Sequence, residues 1–233
     1  FNLRDPANTA RPHPLFGNRA LRRAIAIGVD RQQVVQTAYD TMAVLAVGPV
    51  ARRMAGADTT LVGPQHDSVR AAAMLDSLGW RDTNGDGIRD RNGQPLAFGL
   101  IVPSSSAFRV RMAIVLQEQL RGLGVTMNVE QVDFALWAQR PQRGQFDGVF
   151  GFFQMDPSPN SIRQTFTSAG AGGGLNYGAY RSPTFDALID SGLTTMDPAR
   201  QRGYFRRAYQ TILDDTPALF LYEGAGIGGA HSR

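Results

Sequence analysis

The chain has 233 residues, of which 42% are hydrophobic and 19% charged, the balance of a globular protein with a sizeable core. Its net charge of +4 comes from 24 basic residues, all arginine and scattered along the chain, whereas a nucleic-acid surface usually clusters its basic side chains. The lack of cysteine excludes disulfides, thiolate metal sites and cysteine nucleophiles, and no apolar run of about 18 residues predicts a membrane span.

The N-terminal part of the chain predicts an extended segment followed by two helices. The first 16 residues are proline-rich and aperiodic. Apolar residues at steps of three and four then predict a helix over 18–29, with Arg22 largely off its apolar face. Asp30 is placed to cap a second helix, and Arg31 also lies off the apolar face.

The next segments predict a loop and a third helix. Residues 43–64 contain two Gly-Pro pairs, which are typical of loops. Asp67 or Ser68 then starts a helix, and Gly79 ends it as a C-terminal cap glycine.

Residues 82–90 are similar to the first half of an EF-hand calcium loop. The candidate ligands are Asp82, Asn84, Asp86 and Asp90. The twelfth position, where an EF-hand places a bidentate Glu, is Gly93, and a strand rather than a helix follows. We therefore predict a Gly- and Asx-rich turn that holds no ion, and calcium bound as a local staple is the alternative.

Residues 96–130 predict the central unit of the fold. Residues 96–102 are a continuous apolar run between two prolines, as expected of a buried strand. Residues 107–122 carry an apolar stripe at helical spacing, and residues 125–130 alternate like a half-buried strand. Strand, helix and strand at this spacing form a right-handed βαβ unit with parallel strands.

The second half of the chain predicts two more strands and two helices. Residues 146–153 and 218–222 are apolar runs typical of strands, and the glycine-rich residues 168–174 predict a flexible loop. Helices are predicted over 183–193 and 198–213, each with a proline at its start.

The remaining motifs indicate no catalytic centre. Three histidines lie in irregular segments without metal-ligand spacing and are expected at the surface: His13, His66 and His231. The glycines at 224–229 fit a dinucleotide-binding pattern, but only four residues follow, too few for the helix that binds the pyrophosphate. A nucleotide-dependent enzyme is thus a minor hypothesis, and we predict that the chain is not an enzyme.

The order of these segments resembles the C-terminal half of the family 5 extracellular solute-binding proteins of ABC transporters. The closest match is 71–102, where the family often places a Gly-Trp pair before an Asp- and Gly-rich turn. Residues 16–35, 114–129, 146–166 and 175–190 follow in the family's order. The shared order over nearly the whole chain carries the resemblance.

The resemblance implies an α/β fold: a single lobe of a type II periplasmic-binding-protein-like fold, with a mixed sheet flanked by helices. Residues 1–16 are then an extended segment that enters from a missing N-terminal lobe. Residues 17–216 form the C-terminal lobe, and residues 217–233 form a strand and tail that return toward the missing lobe.

The implied function belongs to a two-lobed parent that captures a peptide or other small solute for an ABC importer. Its partners are the solute and the permease subunits, with no nucleic acid and no cofactor. The resemblance implies a monomer in the periplasm or extracytoplasmic space, peripheral to the membrane, with a signal or lipid anchor outside this chain. The alternative is a calcium-stapled extracellular interaction module that uses the loop at 82–90.

The resemblance places the ligand at the C-terminal end of the 146–153 strand, a switch point of the α/β sheet. The implied ligand-binding residues are Phe152, Phe153, Gln154, Met155, Asp156, Asn176 and Tyr177. In peptide-binding members an acidic residue holds the peptide's α-amino group, and that position falls on Met155 here. Asp156 is one residue further on, and it either contacts the solute or caps the helix after Pro157.

Overall fold

The computed structural model describes residues 1–39, 43–54, 57–152 and 160–224 of the chain. The α-helices in these ranges are α1 (Arg19–Gly28), α2 (Arg31–Tyr39), α3 (Ser68–Ser77), α4 (Ala107–Arg121), α5 (Phe134–Gln142), α6 (Ser161–Phe166), α7 (Pro183–Thr194) and α8 (Pro198–Asp215). The strands are β1 (Ala43–Leu45), β2 (Asp90–Arg91), β3 (Gln94–Pro95), β4 (Ala97–Pro103), β5 (Thr126–Val132), β6 (Gly148–Val149) and β7 (Tyr222–Gly224). None of the helices described is both long and apolar enough to cross a membrane.

The predicted βαβ unit is confirmed. Strands β4 and β5 pair in parallel, from Ala97 opposite Thr126 to Pro103 opposite Val132, and α4 connects them. Strand β6 pairs in parallel with the other side of β4, so the sheet has the order β5-β4-β6. The carboxyl ends of all three strands therefore lie at one edge of the sheet.

The predicted helix caps are also confirmed. The Asp30 carboxylate accepts a hydrogen bond from the Gln33 amide at 3.1 Å, and Asp67 caps α3 through the Arg70 amide. Gly79 follows α3 with a φ of +83°, a conformation that glycine adopts without steric cost.

Two hydrophobic cores lie side by side in the molecule. The first surrounds β4 and β5 and packs α1, α3 and α4 against them, with Trp80 and Met112 among its buried side chains. The second is formed around α6, α7 and α8, with Phe185 and Phe205 at its centre.

Two arginines that we expected off the apolar face are buried between these cores. Arg22 of α1 is 4% exposed and donates to three backbone carbonyls, those of Phe16 (2.7 Å), Asp215 (2.6 Å) and Thr216 (3.0 Å). The prediction failed because a guanidinium can satisfy several carbonyls at once, which helical periodicity does not reveal.

Arg31, at the start of α2, has the same role. It is 6% exposed and donates to the carbonyls of Ala46, Pro64 and Phe220, at distances of 2.8–3.2 Å. Three separate segments of backbone are therefore tied to one guanidinium.

Three predictions of local structure need correction. The predicted loop 43–64 contains β1, which pairs antiparallel with β7, so the last strand begins at Tyr222 rather than at residue 218. Of the predicted strand 146–153, residues 146–152 are described, and among them only β6 is regular strand, although the Phe150 amide still bonds to the Ile101 carbonyl at 2.9 Å. The predicted flexible loop at 168–174 contains a 3-10 helix, Ser168–Gly172.

His13 is buried, contrary to the surface position we predicted. It is 4% exposed, and its Nε2 lies 3.0 Å from the Asp147 carboxylate. Its Nδ1 accepts hydrogen bonds from the amides of Leu15 and Phe16, each at 3.0 Å. The prediction failed because the backbone amides of this irregular segment need a hydrogen-bond acceptor, and the buried His13 ring provides it. Residue spacing along the sequence does not reveal such a contact.

Candidate functional site

An apolar groove of about 510 Å³ is lined by residues of both cores. On the sheet side it is lined by Phe98, Leu100 and Phe150, and on the opposite side by Phe166, Tyr177 and Phe220. An apolar groove of this volume, with few polar groups, has the character of a small-molecule site.

Three of the seven predicted ligand-binding residues line this groove: Phe152, Asn176 and Tyr177. Phe152 lies three residues after the end of β6 and is 48% exposed. Tyr177 is half-buried, so both rings present surface that a solute can cover.

Asn176 is buried, and its amide is occupied inside the protein. Its Nδ2 donates to the carbonyls of Thr167 at 2.9 Å and Tyr180 at 2.8 Å, while its Oδ1 accepts from the Tyr180 amide. This geometry fixes the turn that carries Tyr177. A direct solute contact by Asn176 stays a prediction.

Four other predicted ligand-binding residues lie outside the described part of the chain: Phe153, Gln154, Met155 and Asp156. Their roles stay predictions.

A cation and three aromatic rings meet at the sheet edge where the parallel strands end. The guanidinium carbon of Arg109 lies 4.5 Å from the ring centre of Phe152, 5.1 Å from that of Phe108 and 6.0 Å from that of Trp137. Trp137 stacks on Phe152 with a centroid distance of 5.9 Å and an interplanar angle of 2°. We call these four residues the Arg109 cluster.

The topology explains how the Arg109 cluster forms. Arg109 lies in the first turn of α4, just after β4, and Trp137 lies in the first turn of α5, just after β5. Phe152 follows β6, so each of the three parallel strands delivers one side chain to the same edge. The indole Nε1 of Trp137 donates to the Phe150 carbonyl at 3.2 Å, which fixes the ring.

Sequence reasoning missed Arg109 and Trp137, because neither belongs to a recognisable motif. A usable signal was present. Large aromatic and cationic side chains stand within a few residues of the end of each predicted parallel strand, where α/β proteins bind ligands.

The predicted turn at 82–90 forms, and its four candidate metal ligands accept hydrogen bonds from groups of the same turn. The Asp82 carboxylate accepts hydrogen bonds from the backbone amides of Gly85 and Gly87. The Asn84 side-chain oxygen accepts one from the Asp86 amide, and the Asp86 carboxylate accepts one from the Ile88 amide. The Asp90 carboxylate accepts hydrogen bonds from the amide and the hydroxyl of Thr83. In the part of the chain that the structure describes, no group of three or more carboxylates and histidines is arranged to hold a metal ion. The absence of calcium in this loop stays a prediction.

The chain is similar to known proteins over most of its length. A profile described as bacterial extracellular solute-binding proteins, family 5 Middle, matches residues 1–174. The oligopeptide-binding protein AppA of Bacillus subtilis is 27% identical over 212 residues, which cover 89% of this chain and 39% of that protein.

Solved structures agree with this result. The structure of Bacillus subtilis AppA in complex with a nonapeptide matches with a TM-score of 0.84 at 27% identity, covering 90% of this chain and 42% of that one. NikZ from Campylobacter jejuni in complex with Ni(L-His) matches with a TM-score of 0.80 at 21% identity, over 90% of this chain and 42% of that one. The chain thus spans about two fifths of the length of the proteins it matches.

Proposed function

The chain belongs to family 5 of the bacterial extracellular solute-binding proteins, and from this membership we propose that it is one lobe of the solute-binding component of an ABC importer. Its α/β fold is that of part of a type II periplasmic binding protein. The family consists of binding proteins rather than enzymes. The parent protein then captures a solute outside the cytoplasm and delivers it to permease subunits.

The observation that carries this proposal is the position of the apolar groove and the Arg109 cluster. Both lie where β6 ends, and Phe152 belongs to both. In α/β sheets, ligands bind at the carboxyl ends of the strands. A second lobe closing over this edge would exclude water from the solute, so affinity depends on both lobes.

A peptide is the solute class that we favour, since AppA is an oligopeptide-binding protein whose structure contains a nonapeptide. A second class, a metal complex, is represented by NikZ with Ni(L-His). Phe152 and Tyr177 supply apolar surface for either solute. We propose Asp156 as the partner of a cationic group, because charge-assisted hydrogen bonds are the stronger ones in a closed site.

The test compares the two-lobed parent protein with its Asp156→Asn variant. We expect the variant to bind the solute at least about tenfold more weakly, equivalent to roughly 1.4 kcal/mol, in calorimetric titration with a defined peptide library. Glu118→Gln is the matched control, because Glu118 is exposed on α4 and forms a solvent-exposed ion pair with Arg121 of the same helix.

The possible results test the role of Asp156 and the binding function separately. Unchanged affinity in the Asp156→Asn protein would show that Asp156 only caps a helix. A parent protein that retains no solute, or a chain that turns a substrate over, would contradict the binding function itself. The isolated 233-residue chain should bind the same peptides far more weakly than the parent.

A further inference from the structure

The turn at 82–90 and the hairpin that follows it each contain an exposed Asn-Gly pair. Asn84 precedes Gly85, and Asn92 precedes Gly93. Glycine has no side chain to shield its amide nitrogen, so in such a pair that nitrogen can attack the side-chain carbon Cγ of the asparagine. A Cβ at either glycine would meet no atom of the described structure within 4 Å, so neighbouring groups do not cover the two pairs. The two asparagines therefore have the same sequence context, and the structure distinguishes them.

Asn92 is held in a conformation that prevents this attack. Asn92 and Gly93 form the two-residue loop between β2 and β3, with φ values of +54° and +73°. Positive φ at both positions is characteristic of a type I′ hairpin turn. A residue in the left-handed region has a ψ of about +47°, which turns the next amide nitrogen away from its Cβ. The pairing of β2 with β3 fixes this conformation.

Asn84 is surrounded by groups that favour the attack. The Gly85 amide, whose nitrogen is the nucleophile, donates to Asp82 Oδ1 at 2.7 Å, so a carboxylate is placed to accept its proton. Asn84 Oδ1 accepts from the Asp86 amide at 3.1 Å, and this donor stabilises the negative charge that develops on Oδ1 during the attack. A base and an oxyanion donor are thus in place before the reaction.

We propose that Asn84 is a site of self-catalysed deamidation with Asp82 as the general base, whereas Asn92 is protected. Asp82 takes the proton from the Gly85 amide as the amide nitrogen bonds to Cγ of Asn84. The bond between Cγ and Nδ2 then breaks, and the nitrogen leaves as ammonia with that proton. Water hydrolyses the resulting five-membered imide and leaves an aspartate or isoaspartate residue at position 84.

The modification changes the charge of the turn and one of its contacts. The hydrogen bond from Asn84 Nδ2 to the Asp86 carboxylate, 2.9 Å long, is replaced by repulsion between two carboxylates. Within the described part of the chain, no residue of 82–93 lines the apolar groove. Deamidation therefore adds a negative charge as the protein ages, outside the candidate solute site and independently of solute capture.

The test incubates the folded chain at neutral pH and follows both asparagines by mass spectrometry. Cleavage after arginine separates residues 82–89 from residues 92–109, so each site has its own peptide. We expect Asn84 to convert at least about fivefold faster than Asn92, since general-base catalysis contributes more than this factor. In the chain unfolded by urea the two rates should become similar, because both asparagines precede glycine.

Two variants separate catalysis from the rigidity of the turn. Asp82→Ser keeps a hydrogen-bond acceptor for the Gly85 amide but removes the base, so conversion of Asn84 should slow at least about fivefold. The other asparagine is the reference within the same molecule, and its rate should not change. Asp90→Ser is the matched control, because Asp90 is a carboxylate of the same turn whose hydrogen bonds come from Thr83 rather than from the attacking amide. It should leave the rate at Asn84 unchanged.

Several outcomes would overturn the proposal. These are equal rates at Asn84 and Asn92 in the folded chain, an unchanged or higher rate at Asn84 in Asp82→Ser, and an equal slowing in Asp90→Ser. Faster conversion of Asn84 in the unfolded chain than in the folded chain would also overturn it, because the fold would then protect this residue.

Discussion

His13 is the residue that holds the N-terminal segment against the sheet. Its ring accepts two backbone amides at Nδ1, so the proton must reside on Nε2, which then donates to Asp147. The Asp147 carboxylate also accepts the Gly99 amide at 2.8 Å, and the Asp147 carbonyl accepts the Asn2 amide. Hydrogen bonds of one histidine and one carboxylate therefore connect the segment before α1 to β4 and β6.

His13→Ala should lower the free energy of unfolding by about 2–3 kcal/mol, because it leaves two buried amides and one carboxylate without their partner. Urea unfolding followed by circular dichroism measures the change. His66→Ala is the control, since His66 is exposed and its loss should shift stability by no more than about 0.5 kcal/mol. Equal effects of the two substitutions would contradict the structural role of His13.

The lowered pKa of Asp147 predicts that the stability of the chain decreases on acidification. Burial raises the pKa of its carboxyl, but hydrogen bonds from His13 and the Gly99 amide, with the charges of His13 and Arg140, hold the pKa below its ordinary value. The stability that this carboxylate contributes is present above about pH 4 and is lost as the pH falls through the lowered pKa.

Asp147→Asn should therefore flatten the loss of stability on acidification below about pH 5. Unfolding curves at a series of pH values measure this slope. The control is Asp190→Asn, because Asp190 is exposed and forms a solvent-exposed ion pair with Arg163. A slope as steep as that of the unsubstituted chain would refute the assignment.

At the level of elements, helices α7 and α8 pack closely because Gly192 has no side chain. A Cβ at this position would lie 2.7 Å from Cε1 and 2.9 Å from Cδ1 of the Phe205 ring. That ring is 1% exposed and stacks on Tyr209 at 6.0 Å, so it cannot yield. The approach of the two helices is thus set by one residue.

Gly192→Ala should cost about 1–3 kcal/mol of unfolding free energy through overpacking, despite the better helix propensity of alanine. Gly203→Ala, on α8, is the matched substitution. A Cβ there meets no atom within 4 Å, so the gain in helix propensity of roughly 0.5–1 kcal/mol should appear alone. Urea midpoints that move in the same direction for both variants would contradict this packing argument.

Long elements with a clear period could be predicted from the sequence. The βαβ unit at 96–130 carries its own pattern, since a continuous apolar run, a helical stripe and an alternating run follow one another. The pair β1 and β7 could not be predicted, because three-residue strands have no period and their partners are distant in the chain. The burial of Arg22 and His13 could not be predicted for a related reason. Their hydrogen-bond partners are backbone carbonyls and amides of distant or irregular segments.

The same limit applies to the candidate site. The end of the 146–153 segment was nominated through a resemblance, and Phe152 and Tyr177 do line the groove. Arg109 and Trp137 come from two other elements, and only the strand order β5-β4-β6 brings them to Phe152. A site assembled from three strand ends cannot be predicted from any one of them.

On the scale of the whole molecule, Arg22 joins the two hydrophobic cores. It belongs to α1 of the first core and donates to carbonyls at the C-terminal end of α8, in the second. Positive charge is favourable at that end of a helix, where the last carbonyls have no partner within the helix.

Arg22→Met should therefore destabilise the chain by roughly 3 kcal/mol, since three buried carbonyls lose their donors. Arg23→Met removes the same charge from the next position. Among the described residues its one ion pair, with Asp214, is 4.0 Å long and exposed, so a change within about 0.5 kcal/mol is expected. Thermal unfolding of both variants decides whether Arg22 acts through its hydrogen bonds or only through its charge.

The stacking of Trp137 on Phe152 also gives the molecule an optical reporter. The chain has two tryptophans, and the other, Trp80, is 4% exposed in the first core beneath the Arg91 guanidinium. A solute that covers Phe152 changes the surroundings of one indole and leaves the other as an internal reference. The intrinsic fluorescence of the unlabelled protein can then follow solute capture in real time.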